Sequence, residues 1–184
     1  MIIEPLEISE VLLIRPQRFA DDRGWFEETW NQKRLVEHGL DVQFVQDNQS
    51  MSKTIGTVRG LHFQAPPHAQ AKLVRVAQGS VLDVAVDIRT GSPTYGRWVS
   101  AELSAENGAQ LFVPRGFAHA FITREPDTVV CYKVDGFYDK ASEGGIRFDD
   151  PDLGIDWGIA PEAAVLSEKD FALGRLADLG PVFA

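Results

Sequence analysis

The sequence predicts an all-β sandwich or barrel with only a few short helices. Most of the chain consists of short apolar segments with β-type alternation, separated by turns rich in glycine, proline and asparagine. The clearest alternation lies in residues 72–88, where Leu82, Val84, Val86 and Ile88 share one face of a strand. A chain of 184 residues can bury one substantial core, so we expect a single domain over residues 1–184.

The strands can be assigned in chain order from this alternation. They are predicted at residues 11–14, 43–50, 57–64, 98–103, 111–113, 117–122 and 128–134, and in the two arms of 72–88. Asp21, Asp22 and Gly24 mark the turn of a hairpin within residues 19–28. Gly79 and Ser80 predict a second hairpin turn, which would pair the two arms of 72–88.

Two short helices complete the prediction. One spans residues 32–38, capped by Asn31 and ended by Gly39. The other spans residues 168–177 near the C-terminus, capped by Ser167.

Composition excludes several classes of protein. The formal net charge of −9 argues against general nucleic-acid binding but leaves room for a small anionic ligand. The single cysteine, Cys131, rules out a disulfide within the chain and a cysteine-based zinc site. Neither a signal-peptide pattern nor an apolar run approaching roughly 20 residues is visible. We therefore expect a cytoplasmic protein without membrane or nucleic-acid partners.

An unusually polar strand, residues 59–64, predicts a pocket. It carries Arg59, His62 and Gln64 between apolar residues, and Lys72 follows closely. Strict alternation would put Arg59 and His62 on opposite faces of the strand. Both can enter one pocket only if the strand breaks its alternation, and Gly60 is the expected place for a bulge.

The pocket chemistry predicted from these residues is acid–base catalysis without a metal or other cofactor. His62 and His119 would supply only two imidazoles, short of a three-ligand catalytic metal site. Imidazole titrates near working pH, so His62 is a candidate general base, with Tyr132 as a candidate acid. The alternatives are structural: a hydrogen-bonded strand histidine, and a half-buried β aromatic for Tyr132. Pro114, Gly116 and then His119 on the next strand form a pattern typical of cupin jelly rolls, which predicts a cupin-type jelly roll (double-stranded β-helix) with His119 in the barrel mouth.

Several motifs together resemble one family of sugar-nucleotide enzymes. They occur at residues 21–28 (DDRGWFEE), 44–48 (FVQDN), 59–64 (RGLHFQ), 68–76 (HAQAKLVRV), 113–121 (VPRGFAHAF), 132–133, 137–138 and 166–170 (LSEKD). Taken in order, they cover nearly the whole chain, and the chain resembles the dTDP-4-dehydrorhamnose 3,5-epimerase family, whose members are cupin-like. The resemblance implies an isomerase that inverts C3 and C5 of dTDP-4-dehydro-6-deoxy-D-glucose, giving dTDP-4-dehydro-L-rhamnose for dTDP-L-rhamnose biosynthesis.

The resemblance also implies catalytic roles. His62 would remove the proton next to the C4 ketone, Asp170 would be its dyad partner, and Tyr132 would be the acid on the opposite face. Lys72 would stabilise the enolate.

Substrate contacts are implied at twelve further positions. Arg23, Arg59 and Lys169 would bind the diphosphate, Glu28, Gln46 and Asn48 would contact thymidine, and Phe26 would stack on the base. His119, Tyr138 and Glu143 would surround the sugar, and Phe19 and Asp47 are also assigned to substrate binding. In this family the N-terminal loop reaches into the partner's site, so the resemblance implies a homodimer.

Three alternatives to this function stay open at the level of sequence. A relative that epimerises only C3 or only C5 of another dTDP-4-keto sugar would carry the same residues. A non-catalytic cupin that binds a sugar nucleotide is disfavoured by the set His62, Asp170 and Tyr132. A metal-dependent cupin oxygenase or isomerase is disfavoured by the count of metal ligands.

Overall fold

The computed structural model describes residues 1–183, and its strands form two large antiparallel sheets and a separate hairpin. In spatial order, the six-stranded sheet contains β1 (Ile2–Pro5), β2 (Leu12–Arg15), β10 (Gln110–Val113), β7 (Lys72–Gln78), β12 (Thr128–Val134) and β5 (Gln46–Ser52). The five-stranded sheet contains β13 (Glu143–Gly145), β6 (Val58–Gln64), β11 (Phe117–Thr123), β8 (Ser80–Asp87) and β9 (Trp98–Ser104). The hairpin is β3 (Arg18–Asp21) and β4 (Gly24–Glu27).

The central core lies between the two large sheets. Val74 of β7, Leu111 of β10 and Val130 of β12 pack there against Ala85 of β8 and Phe121 of β11. Interleaved apolar faces from two sheets are the arrangement that a jelly roll requires. The prediction of an all-β cupin-type fold with few helices is therefore confirmed, whereas the single domain over residues 1–184 stays a prediction.

Two further apolar clusters cover the outer faces of the sheets. The outer face of the five-stranded sheet packs against Phe148, Leu153 and Trp157 of the irregular C-terminal segment. The outer face of the six-stranded sheet packs against Leu35 of α1 (Gln32–Glu37). Because both faces of the five-stranded sheet are covered around β8, this strand is buried on both sides.

The hairpin predicted at Gly79 and Ser80 is wrong. β7 and β8 belong to different sheets, and the chain crosses from one sheet to the other at Gly79. Gly79 has a φ of 77°, and an added Cβ would lie 2.4 Å from Thr128 Oγ1. The alternation identified both strands correctly, but their hydrogen-bond partners come from distant parts of the chain.

The helices follow the prediction at their N-termini. Asn31 Oδ1 caps α1 by accepting from the Arg34 backbone N at 3.2 Å. The C-terminal helix α2 (Glu168–Phe171) begins after Ser167, as predicted, but stops well short of residue 177. Gly174 follows, and a separate 3₁₀ turn spans Leu176–Asp178. Further 3₁₀ turns span Lys140–Ser142 and Pro161–Ala163. Within residues 1–183, no helix is long and apolar enough to span a membrane.

Candidate active site

A bulge in β6 brings Arg59 and His62 to the same side of the sheet. His62 pairs with His119 and Arg59 pairs with Phe121. The three residue steps from 59 to 62 on β6 therefore lie opposite only two steps, from 119 to 121, on β11. Gly60 sits in the bulge with a φ of 130°, and an added Cβ there would lie 2.4 Å from Ala120 Cβ. The break in alternation expected near Gly60 is thus confirmed.

Arg59 and His62 open onto a cavity of about 470 Å³ between the two sheets, a volume suited to a small organic ligand. The cavity brings together predicted site residues from distant parts of the chain: Arg59, His62, His119, Tyr132, Lys169 and Asp170. His62 and His119 come from the five-stranded sheet, whereas Tyr132 comes from the six-stranded sheet. The histidines and the tyrosine therefore approach the cavity from opposite walls.

His62 is held by Asp170. The His62 Nε2 atom lies 2.5 Å from Asp170 Oδ1, and Asp170 is buried. Burial raises the pKa of the Asp170 carboxyl, but the hydrogen bond and charge of His62 outweigh it, so the net pKa is lowered. An ionised Asp170 fixes the orientation of the His62 ring and favours a proton on Nε2, which leaves Nδ1 available as a base.

Local structure fixes the position of Asp170. Its backbone N donates to Ser167 Oγ at 3.1 Å, which caps α2. The preceding segment is tied to the chain entering β6, since the Val58 N–H donates to the Val165 carbonyl at 3.0 Å. The helix that carries Asp170 is therefore attached directly to the strand that carries His62.

Lys72 lies beside His62, although it is not among the residues that line the cavity. Its Nζ donates to the His62 carbonyl at 3.4 Å, and its side chain is partly buried. Burial lowers the pKa of Lys72 to about 8, while the charges of Asp83 and Glu143 oppose that shift. Lys72 is thus a cation at neutral pH that can lose its proton under mildly basic conditions.

Tyr132 faces the cavity from β12. Burial raises the pKa of the phenol, and Glu143 adds to the rise, while Arg59 opposes it. The hydroxyl therefore stays protonated at neutral pH and can serve as a proton donor.

His119 is bound to a carboxylate that was not predicted. His119 Nε2 lies 2.8 Å from Asp83 Oδ1, and Asp83 is completely buried in β8. The sequence feature that could have pointed to Asp83 is an acidic residue inside an apolar strand, because a buried carboxylate needs a polar partner.

A polar cluster adjoins the cavity at Lys169, although its other members are not among the lining residues. Glu143 accepts a hydrogen bond from the Tyr138 hydroxyl at 3.1 Å and forms an ion pair with Lys169. The Tyr138 backbone N donates to Gln46 Oε1 at 3.2 Å, and Gln46 Nε2 donates to Asn48 Oδ1 at 2.8 Å. These contacts connect β5 with α2.

Arg59 contacts the same strand β5. It donates to Ser52 Oγ at 3.1 Å and to the Met51 carbonyl at 3.1 Å. Ser50, a further residue of β5 that was not predicted, also lines the cavity.

The remaining predicted contact residues lie outside the cavity lining. Phe19, Arg23 and Phe26 are exposed on the β3–β4 hairpin, where Arg23 pairs with Asp21 at 2.5 Å. Glu28 follows the hairpin and pairs with Arg34 at 3.3 Å. Asp47 points to the face of β5 opposite Asn48 and pairs with Lys133 at 2.8 Å.

Within residues 1–183, no three histidine, cysteine, aspartate or glutamate side chains are grouped so that they could hold a metal ion.

The sequence model of the dTDP-4-dehydrorhamnose 3,5-epimerase family matches residues 5–178. The chain belongs to this family. A curated relative, the dTDP-4-dehydrorhamnose 3,5-epimerase of Sinorhizobium fredii, is 54% identical over 181 residues, covering 97% of this chain and 91% of the relative.

Solved structures of the family share the fold. The Bacillus anthracis dTDP-4-dehydrorhamnose 3,5-epimerase, with TDP and pyrophosphate bound, superposes with a TM-score of 0.91 at 44% identity, covering 94% of this chain and 98% of that one. The Legionella pneumophila dTDP-6-deoxy-D-glucose-3,5-epimerase, in complex with dTDP-4-keto-L-rhamnose, also has a TM-score of 0.91 at 44% identity. The match covers 96% of this chain and 93% of that one. At these identities, family membership places the protein among sugar-nucleotide epimerases.

Proposed function

We propose that this protein is a 3,5-epimerase that converts dTDP-4-dehydro-6-deoxy-D-glucose to dTDP-4-dehydro-L-rhamnose, in dTDP-L-rhamnose biosynthesis, without a cofactor. The observation that carries the proposal is one shared cavity, lined by His62 from one sheet and Tyr132 from the other, with Asp170 of α2 bound to His62. Inversion at carbon requires removal of a proton on one face and delivery on the other, and this cavity has a candidate group on each side.

The chemistry follows from the acidity of protons next to a ketone. His62 takes the proton from C3 or C5, and the C–H electron pair moves into the ring as an enolate with its charge on the C4 oxygen. Lys72, beside His62 and cationic at neutral pH, stabilises that charge. Tyr132 then returns a proton to carbon on the opposite face, and the ketone reforms with inverted configuration.

Substrate binding is assigned in three parts. Arg59 and Lys169 line the cavity as fixed cations and bind the diphosphate together with Arg23. Glu28, Gln46 and Asn48 contact the nucleoside, and the aromatic rings of Phe19 and Phe26 pack on it. Asp47 is left out of this assignment, because its side chain lies on the opposite face of β5 and pairs with Lys133. His119, Tyr138 and Glu143 surround the sugar.

The β3–β4 hairpin of one copy of the chain contributes to the cavity of a second copy. Phe19, Trp25 and Phe26 are 51%, 58% and 68% exposed there, an unusual concentration of aromatic surface on a two-stranded ribbon. Docked on a second copy, the ribbon buries those rings and carries Arg23 to the partner's cavity, which gives a homodimer. The lone Cys131 fits a reducing, cytoplasmic compartment.

The proposal is tested by NMR of dTDP-4-keto-6-deoxyglucose incubated with the protein in D₂O. Deuterium at both C3 and C5, with formation of the L-sugar, is expected. Deuterium at only one of the two carbons would support a single-site epimerase instead. Absence of deuterium at both carbons would contradict catalysis on this substrate.

A further inference from the structure

His119 is fixed in orientation by a buried partner on the neighbouring strand. His119 Nε2 lies 2.8 Å from Asp83 Oδ1, and Asp83 is fully buried in β8. His119 also belongs to the lining of the cavity that includes His62 and Tyr132. The ring therefore connects a buried carboxylate on one side with the substrate cavity on the other.

The partner determines which ring nitrogen carries the proton. A carboxylate accepts hydrogen bonds and does not donate them, so Nε2 of His119 must be the donor. Burial lowers the pKa of His119, and the nearby charges of Lys72 and His62 lower it further, while Asp83 opposes them. The net shift is downward, so the ring is neutral at pH 7 and Nδ1 holds a lone pair.

This lone pair reaches the cavity. Within residues 1–183, Nδ1 of His119 has no hydrogen-bond partner, yet it is not one of the two fully buried side-chain atoms that make no hydrogen bond. Those two atoms are Glu28 Oε1 and Asp83 Oδ2. Nδ1 thus retains accessible surface, and because His119 lines the cavity, we infer that this surface opens into it. There Nδ1 can accept a hydrogen bond and cannot donate one.

We propose that His119, oriented by Asp83, selects substrates by accepting a hydrogen bond from the C2 hydroxyl of the sugar. This inference rests on the proposed function. The C4 oxygen is a ketone and has no proton to donate, so His119 does not polarise it, and that task falls to Lys72. The C3 hydroxyl changes direction when C3 inverts. Of the two hydroxyls on the hexose ring, only the C2 hydroxyl is on a carbon that keeps its configuration, so only it can donate to a fixed acceptor throughout the reaction. Asp83 is then a positioning residue.

The 2-fluoro analogue of the substrate tests the polarity of this contact, because fluorine can accept but cannot donate a hydrogen bond. For the wild-type enzyme we expect kcat/KM to fall at least about tenfold relative to the hydroxyl substrate. His119→Gln keeps an amide N–H for Asp83 but removes the acceptor from the Nδ1 position. In that variant the penalty for the fluoro analogue should be lost, so the hydroxyl-to-fluoro ratio of kcat/KM should fall about tenfold from its wild-type value. Comparing the ratios of the two enzymes cancels the effect of fluorine on C–H acidity.

A hydroxyl-to-fluoro ratio of kcat/KM that is the same in wild type and in His119→Gln would overturn the inference. If wild-type enzyme exchanges deuterium into neither sugar, the proposed function fails and the C2 assignment fails with it.

A ¹⁵N NMR measurement on the histidine-labelled wild-type protein needs no substrate and no variant. It should show His119 neutral at pH 7, with its proton on Nε2. An imidazolium, or a proton on Nδ1, would contradict the acceptor role even if the protein proves to be the proposed epimerase.

Discussion

His62 Nε2 and Asp170 Oδ1 lie 2.5 Å apart, although the two residues are 108 positions apart in the chain. The contact connects a bulged strand of the sheet with the short helix α2. Because Asp170 is buried and its pKa is lowered, the carboxylate is available to hold His62 in the neutral pH range. This pair defines one wall of the cavity, and Tyr132 defines the other.

Tyr132→Phe should separate proton exchange from inversion. The variant lacks the proton donor on one wall but keeps His62 on the other, so an enolate that forms is reprotonated on the face from which the proton left. We expect deuterium in recovered substrate with its original configuration, and L-sugar formation slowed roughly 10²-fold or more. NMR of the sugar in D₂O measures both quantities. L-sugar formed at the wild-type rate would contradict the role of Tyr132.

Lys72 predicts a loss of activity above about pH 8. Its pKa is lowered to about 8 by burial, and only the protonated amine stabilises an enolate, so kcat/KM should fall about tenfold per pH unit above that value. Lys72→Met should lower kcat/KM by roughly 10²-fold or more at pH 7, and its pH profile should lack the basic limb, which is the fall in kcat/KM above about pH 8. An unchanged limb in the variant would assign it to another group.

The same titration of Lys72 should raise the stability of the fold in the pH range where it lowers activity. Its folded pKa lies below its ordinary value of 10.5, so between about pH 8 and pH 10.5 the unfolded chain binds more protons. The contribution of Lys72 to the free energy of unfolding therefore rises with pH across this window. Lys72→Met removes the cost of burying the charge and should be more stable than wild type at pH 7, as measured by urea denaturation.

Gly60→Ala should disrupt the bulge that brings Arg59 and His62 together. An added Cβ would lie 2.4 Å from Ala120 Cβ and 2.5 Å from the His119 carbonyl oxygen. We expect a loss of roughly 3 kcal/mol or more in urea denaturation. Gly24→Ala is the matched control, because Gly24 has a similar φ of 132° but no heavy atom within 4 Å of the added Cβ. The control should lose only about 1–2 kcal/mol at the same protein concentration, and equal losses would mean that the close contact is unimportant.

The hairpin can be tested by mixing two inactive variants, Arg23→Ala and His62→Asn. If the hairpin acts on the partner, one site of each mixed dimer has both Arg23 and His62 intact. Random exchange in an equal mixture should then restore about a quarter of wild-type activity. A mixture no more active than its components, once mixed dimers are shown to form, would mean that Arg23 acts within its own chain.

Most strands were predictable from local alternation, but the short strands β1 and β13 and the partners of the strands were not. The segment 128–134 was predicted with the bounds that β12 has, because apolar and polar residues report the burial of each face directly. β7 and β8 follow each other in sequence and yet lie in different sheets, since pairing is decided by packing across the whole domain.

The candidate site was predictable where a motif or a local rule existed. The bulge at Gly60 follows from requiring Arg59 and His62 in one pocket. The pairing of Asp170 with His62 was predicted only through the family resemblance, because nothing local connects a helix near the C-terminus with His62. Asp83 was missed because β8 is buried on both faces, so its alternation does not separate a cavity side from a solvent side.

The most direct test of His62 as the catalytic base is the rate of deuterium entry at C3 and C5 of the substrate in His62→Asn. Asp170→Asn tests the partner of His62, and Glu168→Gln is the control. Asn at 62 keeps a polar side chain but cannot take the proton, so exchange should fall by roughly 10³-fold. Asp170→Asn should slow it by roughly 10²-fold, because His62 loses its charged partner, and Glu168→Gln, an exposed neighbour on the same helix, should match wild type. Deuterium entering at the wild-type rate in folded His62→Asn would show that His62 is not the base.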